Sequence, residues 1–505
     1  MKRFILFVSL LTLTATQAQN ITDGLRYSSE QINGTARFTS LSGAMGALGG
    51  NLSAMGVNPA GSAVFLKPNL TFSTAILDTR NQANYFNTNI ESHDSDFTLN
   101  QGGGVFVFHN PKEDSAFKKF TLGINYNTTR NYDDYLFIAG IGNTSIADFF
   151  LTQAQGIPLN LLELQPGESI SDLYRYLGET EGSSAQNAFL GYQGFIIDPA
   201  DPNNPTNSTY ISNVADGDFN QEFSNWSQGY NGKFILNFAT QVNDNFFFGV
   251  NLNTHSINYD NSTYLYETNN NNGSLVNRIG FENNLSVIGT GFSAQFGGIA
   301  KIAQNLRLGL SYDTPTWHTI SEATSQYLES RRTIDGQSFT KIVNPHIVNV
   351  YRDYNLRTPG KITTSAAYIF GQSGLLSFDY SYKDYSNITY SPTNDTYFSN
   401  LNRNIENTLK GVSSFKVGAE YRIQQLSLRG GYNYEESPYK NKETVGDLTG
   451  FSLGAGYNFG NFTFDFAYLR SEQDRYEQMY SVGLTDSAKV NTVLDNFTFS
   501  LGFNF

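Results

Sequence analysis

The chemistry open to this chain is limited by its side chains, since its 505 residues include five histidines and no cysteine. Without cysteine there can be no disulfide, no thiolate metal site and no thiol nucleophile. The histidines show no metal-ligand spacing, and none lies near a serine in a nucleophile-elbow context. They are His93, His109, His255, His318 and His346. The sequence therefore predicts no catalytic residue, no metal site and no cofactor, and we do not expect an enzyme.

Several charged residues alternate with apolar residues on strand-like segments, so they are predicted to share one face of a sheet. The members of this set are Asp379, Lys383, Lys416, Glu420, Arg422 and Arg429. They could meet a carboxylate head group, or they could pair with one another and anchor a segment packed against them. The second role is favoured because charges removed from water need partners. For carboxylate binding, Arg307 and Arg429 are the best candidates, because the guanidinium fork matches a carboxylate.

A third group of candidates lies in the long stretch from 131 to 229, which is apolar for a connection between strands. The residues predicted to line a groove for a hydrophobic ligand are Phe149, Phe150, Leu159, Leu162 and Phe195. Short helices are predicted over 145–155 and 171–177. Loops of this length are usually functional or disordered, and the apolar content argues against disorder. The stretch is therefore predicted to cover the mouth of the fold, although these residues could equally pack only against one another.

The first eighteen residues have the pattern of a secretory signal. Lys2 and Arg3 precede the apolar run from Phe4 to Leu13, and a cleavage site is expected after Ala18. That run is too short to cross a bilayer as a helix, and no later stretch reaches the roughly 18 apolar residues that a spanning helix needs. We therefore expect an exported protein, and any membrane span must be built from strands.

The composition fits this expectation. Aromatic residues make up 14% of the chain and there are 46 glycines, yet only 39% of the residues are hydrophobic. Such a mixture is typical of a membrane barrel, in which lipid-facing and lumen-facing residues alternate. The formal charge of −13 argues against nucleic-acid binding.

Alternating segments joined in turn by short and long connections predict the architecture. The predicted short turns are 110–118, 243–245, 304–305, 371–374, 424–425 and 460–461. The predicted long loops are 79–100, 131–229, 259–285, 316–360, 387–411, 436–448 and 472–493. Six turns and seven loops imply an all-β, 14-stranded antiparallel transmembrane barrel over residues 67–505, with its short turns in the periplasm and 131–229 as the large extracellular loop.

The last strand carries the clearest membrane pattern. Its apolar face consists of Phe497, Phe499, Leu501, Phe503 and Phe505. Barrel closure predicts that this strand pairs with the strand over 69–77. The aromatic C-terminal strand also resembles the one by which bacterial outer-membrane barrels are assembled, which implies the barrel-assembly machinery and outer-membrane lipid as partners.

The segment from 19 to 66 does not follow the strand rhythm and is rich in small residues. Its candidate gating residues are Gly46, Gly49, Gly50, Asn58, Pro59, Ala60 and Gly61. Small residues let a backbone fit into a confined space, and a 14-stranded barrel is wide enough to need a filling. A plug, or hatch, inside the lumen is the prediction, and a flexible periplasmic arm is the alternative.

At this point the chain resembles the FadL family of outer-membrane channels for hydrophobic compounds. The resemblance rests on the residues from Gly46 to Ala54, on Asn58-Pro59-Ala60-Gly61 before the first strand, and on Thr358-Pro359-Gly360-Lys361 leading into a later strand. It implies a hatch, a 14-stranded barrel and passage of long-chain fatty acids or aromatic hydrocarbons toward a lateral opening at a kink in the third strand. That strand, predicted from Phe120 to about Thr129, contains no proline, so the sequence by itself does not indicate whether it is kinked.

The function predicted from these observations is passive uptake of hydrophobic small molecules across the bacterial outer membrane, gated by the hatch. The alternative is a structural or secretion-accessory barrel that binds protein partners through its large external loops.

Overall fold

A computed structural model describes residues 20–112 and 114–505. The predicted signal segment, residues 1–18, lies outside the described residues. Within the described residues, no helix has the length and apolar character needed to cross a membrane.

The strands form one closed antiparallel barrel. Its wall consists of fourteen strands, called staves here, and three of these are each made of two consecutive shorter strands. The uninterrupted staves are β1 (Asn69–Tyr85), β2 (Thr88–His109), β7 (Phe219–Val242), β8 (Phe246–Thr268), β9 (Val276–Lys301), β16 (Gly374–Asp384), β18 (Gly411–Ile423), β19 (Leu426–Glu435), β20 (Val445–Asn458), β21 (Phe462–Gln478) and β22 (Ser487–Asn504). The interrupted staves are the third, β3 (Phe117–Asn131) with β4 (Asp134–Gly142); the seventh, β10 (Leu306–Asp313) with β11 (Thr316–Ile334); and the eighth, β14 (Tyr354–Thr358) with β15 (Lys361–Phe370). Outside the staves lie the short strands β5 (Ile197–Pro199), β6 (Tyr210–Ser212), β12 (Gln337–Val343), β13 (Asn349–Val350) and β17 (Thr389–Ser391).

The predicted count of fourteen and the predicted closure are confirmed. β1 pairs with β22 from Asn69 opposite Asn504 to Asn84 opposite Lys489. Along each stave, aromatic and aliphatic side chains face outward while polar ones face the lumen, because successive side chains of a strand point to opposite sides. Phe415 and Tyr421 on β18, for example, are exposed, whereas Glu420 between them is buried.

Several predicted loops are wrong, because they are extensions of the staves. The stretch 79–100 is a hairpin in which β1 and β2 pair as far as Tyr85 opposite Thr88. Most of 259–285, 316–360 and 472–493 is likewise strand. On the β1–β2 hairpin the outward side chains, such as Arg80, Gln82 and Asn84, are polar, so the outward apolar residues that mark a membrane strand are missing. The sequence reading took the loss of lipid-facing residues for the loss of the strand.

The third stave leaves the barrel wall at its upper end. β2 pairs with β3 only from His109 opposite Lys119 to Gln101 opposite Asn127. Above that point no ladder pairing between β2 and the third stave is found among the described residues, and β4 instead pairs with β7. The inward-facing Asn81 of β1 donates to the side chain of Asp134 and to the carbonyl of Tyr135, so β4 passes behind β1 on the lumenal side.

Helices cover the upper end of the barrel. They are α4 (Ala147–Ala154), α5 (Ile170–Thr180) and α6 (Ser183–Gln193) from the large loop, with α7 (Thr396–Thr408) from the loop after β16, and 3-10 helices occupy Leu159–Leu161 and Tyr385–Asn387. The first two helices confirm those predicted over 145–155 and 171–177. Together with the tops of several staves, the large-loop helices bury one continuous apolar cluster that includes Phe150, Phe189 and Phe281. The external loop is thus held down on the barrel rather than extended into solvent.

The N-terminal segment, residues 20–66, lies in the lumen and is called the hatch. It forms α1 (Ile21–Ser28), α2 (Ala36–Ser40), α3 (Leu52–Val57) and a 3-10 helix over Pro59–Val64. Each helix starts at a local cap: Asn20, Thr35, Asn51 and Asn58 accept backbone N–H groups at the successive N-termini. The alternative of a flexible arm is wrong, since most hatch residues are buried against the staves.

Candidate functional site

The lower part of the hatch, residues 46–61, is called the floor, and it is bonded to four neighbouring staves. Asn237 of β7 donates to Asn251 of β8 at 2.7 Å, and Asn251 donates to Gln295 of β9 at 2.7 Å. Each of these side-chain amides also donates to a floor carbonyl, namely Pro59 at 2.9 Å, Met55 at 2.8 Å and Val57 at 2.9 Å. This amide ladder satisfies backbone groups that would otherwise be buried without partners.

Glycines on the staves let the floor approach this closely. A Cβ on Gly297 of β9 would lie 2.1 Å from Asn58 Oδ1, and one on Gly249 of β8 would lie 2.4 Å from the carbonyl carbon of Pro59. A Cβ on Gly309 of β10 would lie 2.5 Å from the carbonyl oxygen of Gly46. The predicted gating residues are therefore packed directly onto bare stave backbone.

Asn58 ties the floor together. Its side chain caps the 3-10 helix by accepting from the N–H of Ala60 at 3.1 Å, and it donates to the carbonyls of Gly46 at 2.8 Å and Gly298 at 3.1 Å. Gly49 and Gly50 have positive φ values of 61° and 65°, a backbone conformation that favours glycine. Gly61 accepts the N–H of Gly50 at 2.9 Å. The small residues singled out in the sequence thus form one compact segment in the lower lumen.

An ion network fixes the hatch in the middle of the barrel. Arg37 of α2 donates to Glu420 of β18 at 2.8 Å, and Glu420 also accepts from Arg429 at 2.7 Å. Arg429 reaches Asp465 at 2.5 Å as well. Asp379 accepts the N–H of Gly46 at 2.9 Å. Of the predicted charged ladder, Glu420, Arg422 and Arg429 therefore pair internally and Asp379 holds the hatch, whereas Lys383 and Lys416 line the cavity described next.

Above the floor lies a cavity of about 1550 Å³. Its lining mixes apolar and polar side chains, and the apolar ones, from α1, α7 and the inner faces of the staves, include Leu25, Leu401, Tyr259, Tyr439 and Leu469. The cavity extends to the upper end of β3, where Asn127, Thr129 and Asn131 line it. It therefore joins the covered mouth of the barrel to the place where the third stave leaves β2.

Charged groups line the lower part of this cavity. Four of them are lysines, named here the lysine cluster: Lys233, Lys361, Lys383 and Lys416. The hatch adds Glu30, whose carboxylate lies 2.6 Å from Lys361 Nζ. Burial acts to raise the pKa of Glu30, but the ammonium groups of Lys361, Lys383 and Lys233 outweigh it and hold that pKa well below its usual range. The cavity thus combines apolar side chains with the lysine cluster and with the carboxylates of Glu30, Asp379 and Glu435.

The residues proposed from sequence to bind ligand are distributed unevenly around this site. Phe149 lines the cavity, whereas Phe150, Leu159 and Leu162 are buried in the external cluster. Phe195 lies under the guanidinium of Arg332, 3.8 Å from its ring centre. Arg307 donates to the carbonyl of Leu48 at 2.8 Å and Arg429 belongs to the ion network, so both contact the hatch or its anchors.

Sequence reasoning missed Glu30, Lys233, the amide ladder and a histidine pair. His255 and His318 lie with ring centres 5.7 Å apart on β8 and β11. Lys233 could have been found, because it alternates with the outward-facing Phe234 on β7. Glu30 could not, because its neighbours come from staves more than 200 residues away in sequence.

Comparison with known proteins supports this geometry. A family model described as outer membrane protein transport protein (OMPP1/FadL/TodX) matches residues 207–503. Among solved structures, a FadL homologue of Pseudomonas aeruginosa is similar at 13% identity with a TM-score of 0.53, covering 95% of this chain and 100% of that chain. The monoaromatic hydrocarbon channel CymD is similar at 12% identity with a TM-score of 0.50, covering 94% and 99%. The Pseudomonas putida toluene transporter TodX is also similar at 12% identity with a TM-score of 0.50, covering 95% and 99%. No curated protein matches the chain.

Proposed function

This chain belongs to the OMPP1/FadL/TodX family of outer-membrane transport proteins, and from that premise we propose that it takes up amphipathic molecules with an apolar tail and an anionic head. Membership makes it an outer-membrane channel protein of the type that carries hydrophobic compounds, and not an enzyme. The observation that carries the finer proposal is the cavity, whose apolar walls lead to the lysine cluster.

Energetics support an amphipathic cargo. Each CH₂ group buried against the cavity walls would contribute ~0.8 kcal/mol, so a tail of about ten carbons would supply most of the binding energy. An ammonium within reach of a carboxylate adds a charge-assisted hydrogen bond of roughly 1.5–3 kcal/mol. A neutral hydrocarbon gains only the first contribution. Two of the similar structures are described as channels or transporters for aromatic hydrocarbons. At 12% identity their likeness concerns the fold and not the cargo.

The proposed route leads from the covered mouth into the cavity and then sideways past the third stave. The floor is bonded to the four neighbouring staves β7 to β10 and to Asp379 of β16, which supports a closed periplasmic end. The missing ladder between β2 and β4 supports a lateral path. In this proposal the floor residues from Gly46 to Gly61 gate the barrel by keeping it closed below, and passage is passive.

Equilibrium binding to the purified protein in mild detergent tests the cargo. We expect dodecanoate at pH 8 to bind about tenfold more tightly than dodecanol, since one charge-assisted hydrogen bond corresponds to about 1.4 kcal/mol or more. Equal affinity for the acid and the alcohol would contradict the anionic head. Native mass spectrometry on the same sample adds a second readout: a stoichiometric protein partner with no bound amphiphile would overturn the transport proposal.

The accessory role is less well supported. The apolar side chains of the external loop, which suggested a docking surface, are largely buried in their own cluster. Phe339 and Ile342 on the β11–β12 hairpin are about half exposed, at 52% and 54%. If a protein partner is found, its contact should be sought there first.

A further inference from the structure

The segment that joins α1 to α2, residues 28–33, is called the strap, and it crosses the lumen between two parts of the site. At one end, Lys383 Nζ donates to the carbonyl of Ser28. Lys361 Nζ donates to Glu30 at 2.6 Å and lies 3.4 Å from Asp313 of β10. The strap is therefore fixed to the lysine cluster through one carbonyl and one carboxylate.

The next residue fixes the strap to the third stave. The N–H of Gln31 donates to the carbonyl of Thr129 at 2.8 Å, and the side-chain oxygen of Gln31 accepts the N–H of Asn131 at 3.0 Å. Both partners lie at the top of β3, above the last ladder pair between β2 and β3, which is Gln101 with Asn127. Adjacent residues of the strap thus bind the lysine cluster and the part of the third stave that no longer pairs with β2.

The Glu30 ion pair is open to the cavity. The Glu30 side chain is 44% exposed, and that of its partner Lys361 is 24% exposed. In contrast, the Glu420 carboxylate of the ion network is only 1% exposed. Ion pairs that remain accessible to water contribute little net stability, so another carboxylate of similar geometry can replace one at small cost. A carboxylate that enters the cavity can reach the same ammonium groups without unfolding anything.

We propose that Glu30 is a built-in occupant of the anion site, and that a ligand carboxylate displaces it and thereby frees Gln31 from the top of the third stave. This inference rests on the proposed function. It makes the strap the moving part: the head group takes the place of Glu30 on the lysine cluster, and the strap shifts away together with its two hydrogen bonds to β3. A neutral ligand of the same length packs against the apolar side chains of the cavity but leaves the strap in place.

Hydrogen exchange on the full chain in detergent tests the proposal, with dodecanoate and dodecanol as probes at concentrations that saturate binding. In the natural protein, dodecanoate should accelerate exchange in peptides covering 28–33 and 128–132 about fivefold, the size expected for the loss of one hydrogen bond of ~1 kcal/mol. Dodecanol should leave both peptides unchanged. Floor peptides covering 50–60 should not respond to either probe.

Two variants separate displacement of Glu30 by the ligand from a general loosening of the strap. Glu30→Gln keeps the shape of the side chain but removes its charge, so the strap should exchange fast without ligand and dodecanoate should bind more tightly. Gln31→Ala should retain the affinity for dodecanoate but abolish the response at 128–132. The matched control is Glu329→Gln, which removes the carboxylate of the Arg278–Glu329 ion pair away from the cavity, and it should behave like the natural protein.

The outcomes are distinguishable from failure of the proposed function. If dodecanoate binds and is taken up but the strap exchanges at the same rate with and without it, the displacement is contradicted while transport stands. Equal acceleration by dodecanol and dodecanoate would also contradict it, because the charge would then be irrelevant. If dodecanoate does not bind at all, both the proposed function and this inference fail.

Discussion

The floor and the strap belong to the same hatch, yet they are held in opposite ways. The floor is bonded by the buried amide ladder and pressed onto stave glycines, so each contact is shielded from water. The strap is held by an ion pair that borders the cavity and by two hydrogen bonds to β3. Shielded contacts are expensive to break and exposed ones are not. This difference indicates a hatch whose lower part stays closed while its upper part can move.

The largest loss of stability is expected when the buried ion network is broken. Glu420→Ala removes the buried common acceptor of Arg37, Arg422 and Arg429, and removing one partner of a buried ion pair costs about 3–5 kcal/mol. Arg429 keeps its bond to Asp465. The hatch should loosen as a whole, so hydrogen exchange should rise in both the floor and the strap. Unchanged protection of the floor would mean that the amide ladder holds the hatch without the network.

A smaller loss of stability is expected from adding a methyl group where Asn58 packs on the backbone of β9. Gly297→Ala places a methyl group 2.1 Å from Asn58 Oδ1, and overpacking of this kind costs about 1–3 kcal/mol. Single-channel conductance in a planar bilayer should then show open events for small ions. The control is the adjacent Gly298→Ala, whose methyl group would meet nothing closer than 3.7 Å. If both variants conduct alike, close packing of the floor is not what seals the barrel.

A substitution in the cavity lining should lower the affinity for the ligand and leave the contacts of the hatch intact. Lys416→Met removes one ammonium from the lysine cluster, and the affinity for dodecanoate should fall about tenfold, or ~1.4 kcal/mol, while that for dodecanol stays the same. Lys489→Met serves as the control, because Lys489 is largely exposed and pairs with Asp474 at 3.3 Å outside the cavity lining. A parallel loss for both ligands would indicate that Lys416 shapes the cavity and does not bind the head group.

The smallest effect is expected at the surface. Asp172 and Arg175 on α5 lie 3.9 Å apart with side chains 60% and 54% exposed. The change Asp172→Asn removes the ion pair, and the melting temperature should change only slightly because exposed ion pairs are screened by solvent. Because Asp172 also belongs to the N-terminal capping box of α5, Arg175→Ala isolates the ion pair from the cap. A marked loss in Arg175→Ala would show that exposed pairs contribute more here than the contrast between floor and strap assumes.

The sequence predicted those parts of the fold that follow from local rules. Alternation along segments such as Phe415 to Tyr421, with short turns such as Asn243 to Asn245, was enough for fourteen staves and their closure. It failed at the hairpin of Tyr85 and Thr88, whose outward side chains are polar, so that no outward apolar residues mark the strands.

The site was less accessible to sequence reasoning. The Asn58-Pro59-Ala60 signature located the floor, because a local cap and close packing determine it. Arg307 and Arg429 were chosen for the chemistry of the guanidinium group, but whether an arginine faces a ligand or a neighbouring carbonyl depends on what fills the lumen beside it. The position of Glu30 against Lys361 depends on the path of the hatch through the whole barrel, which no local pattern encodes.

The central claim is that cargo leaves sideways while the lower hatch stays closed, and locking the hatch tests it most directly. Ser42 Oγ and Ser452 Oγ lie 2.8 Å apart, and the chain has no cysteine of its own. A Ser42→Cys/Ser452→Cys double variant can therefore be crosslinked to β20 and released with reductant, while uptake of labelled dodecanoate is measured in cells. We expect equal uptake in the oxidised and reduced states. Uptake that stops on oxidation and returns on reduction would contradict a stationary floor and a lateral exit.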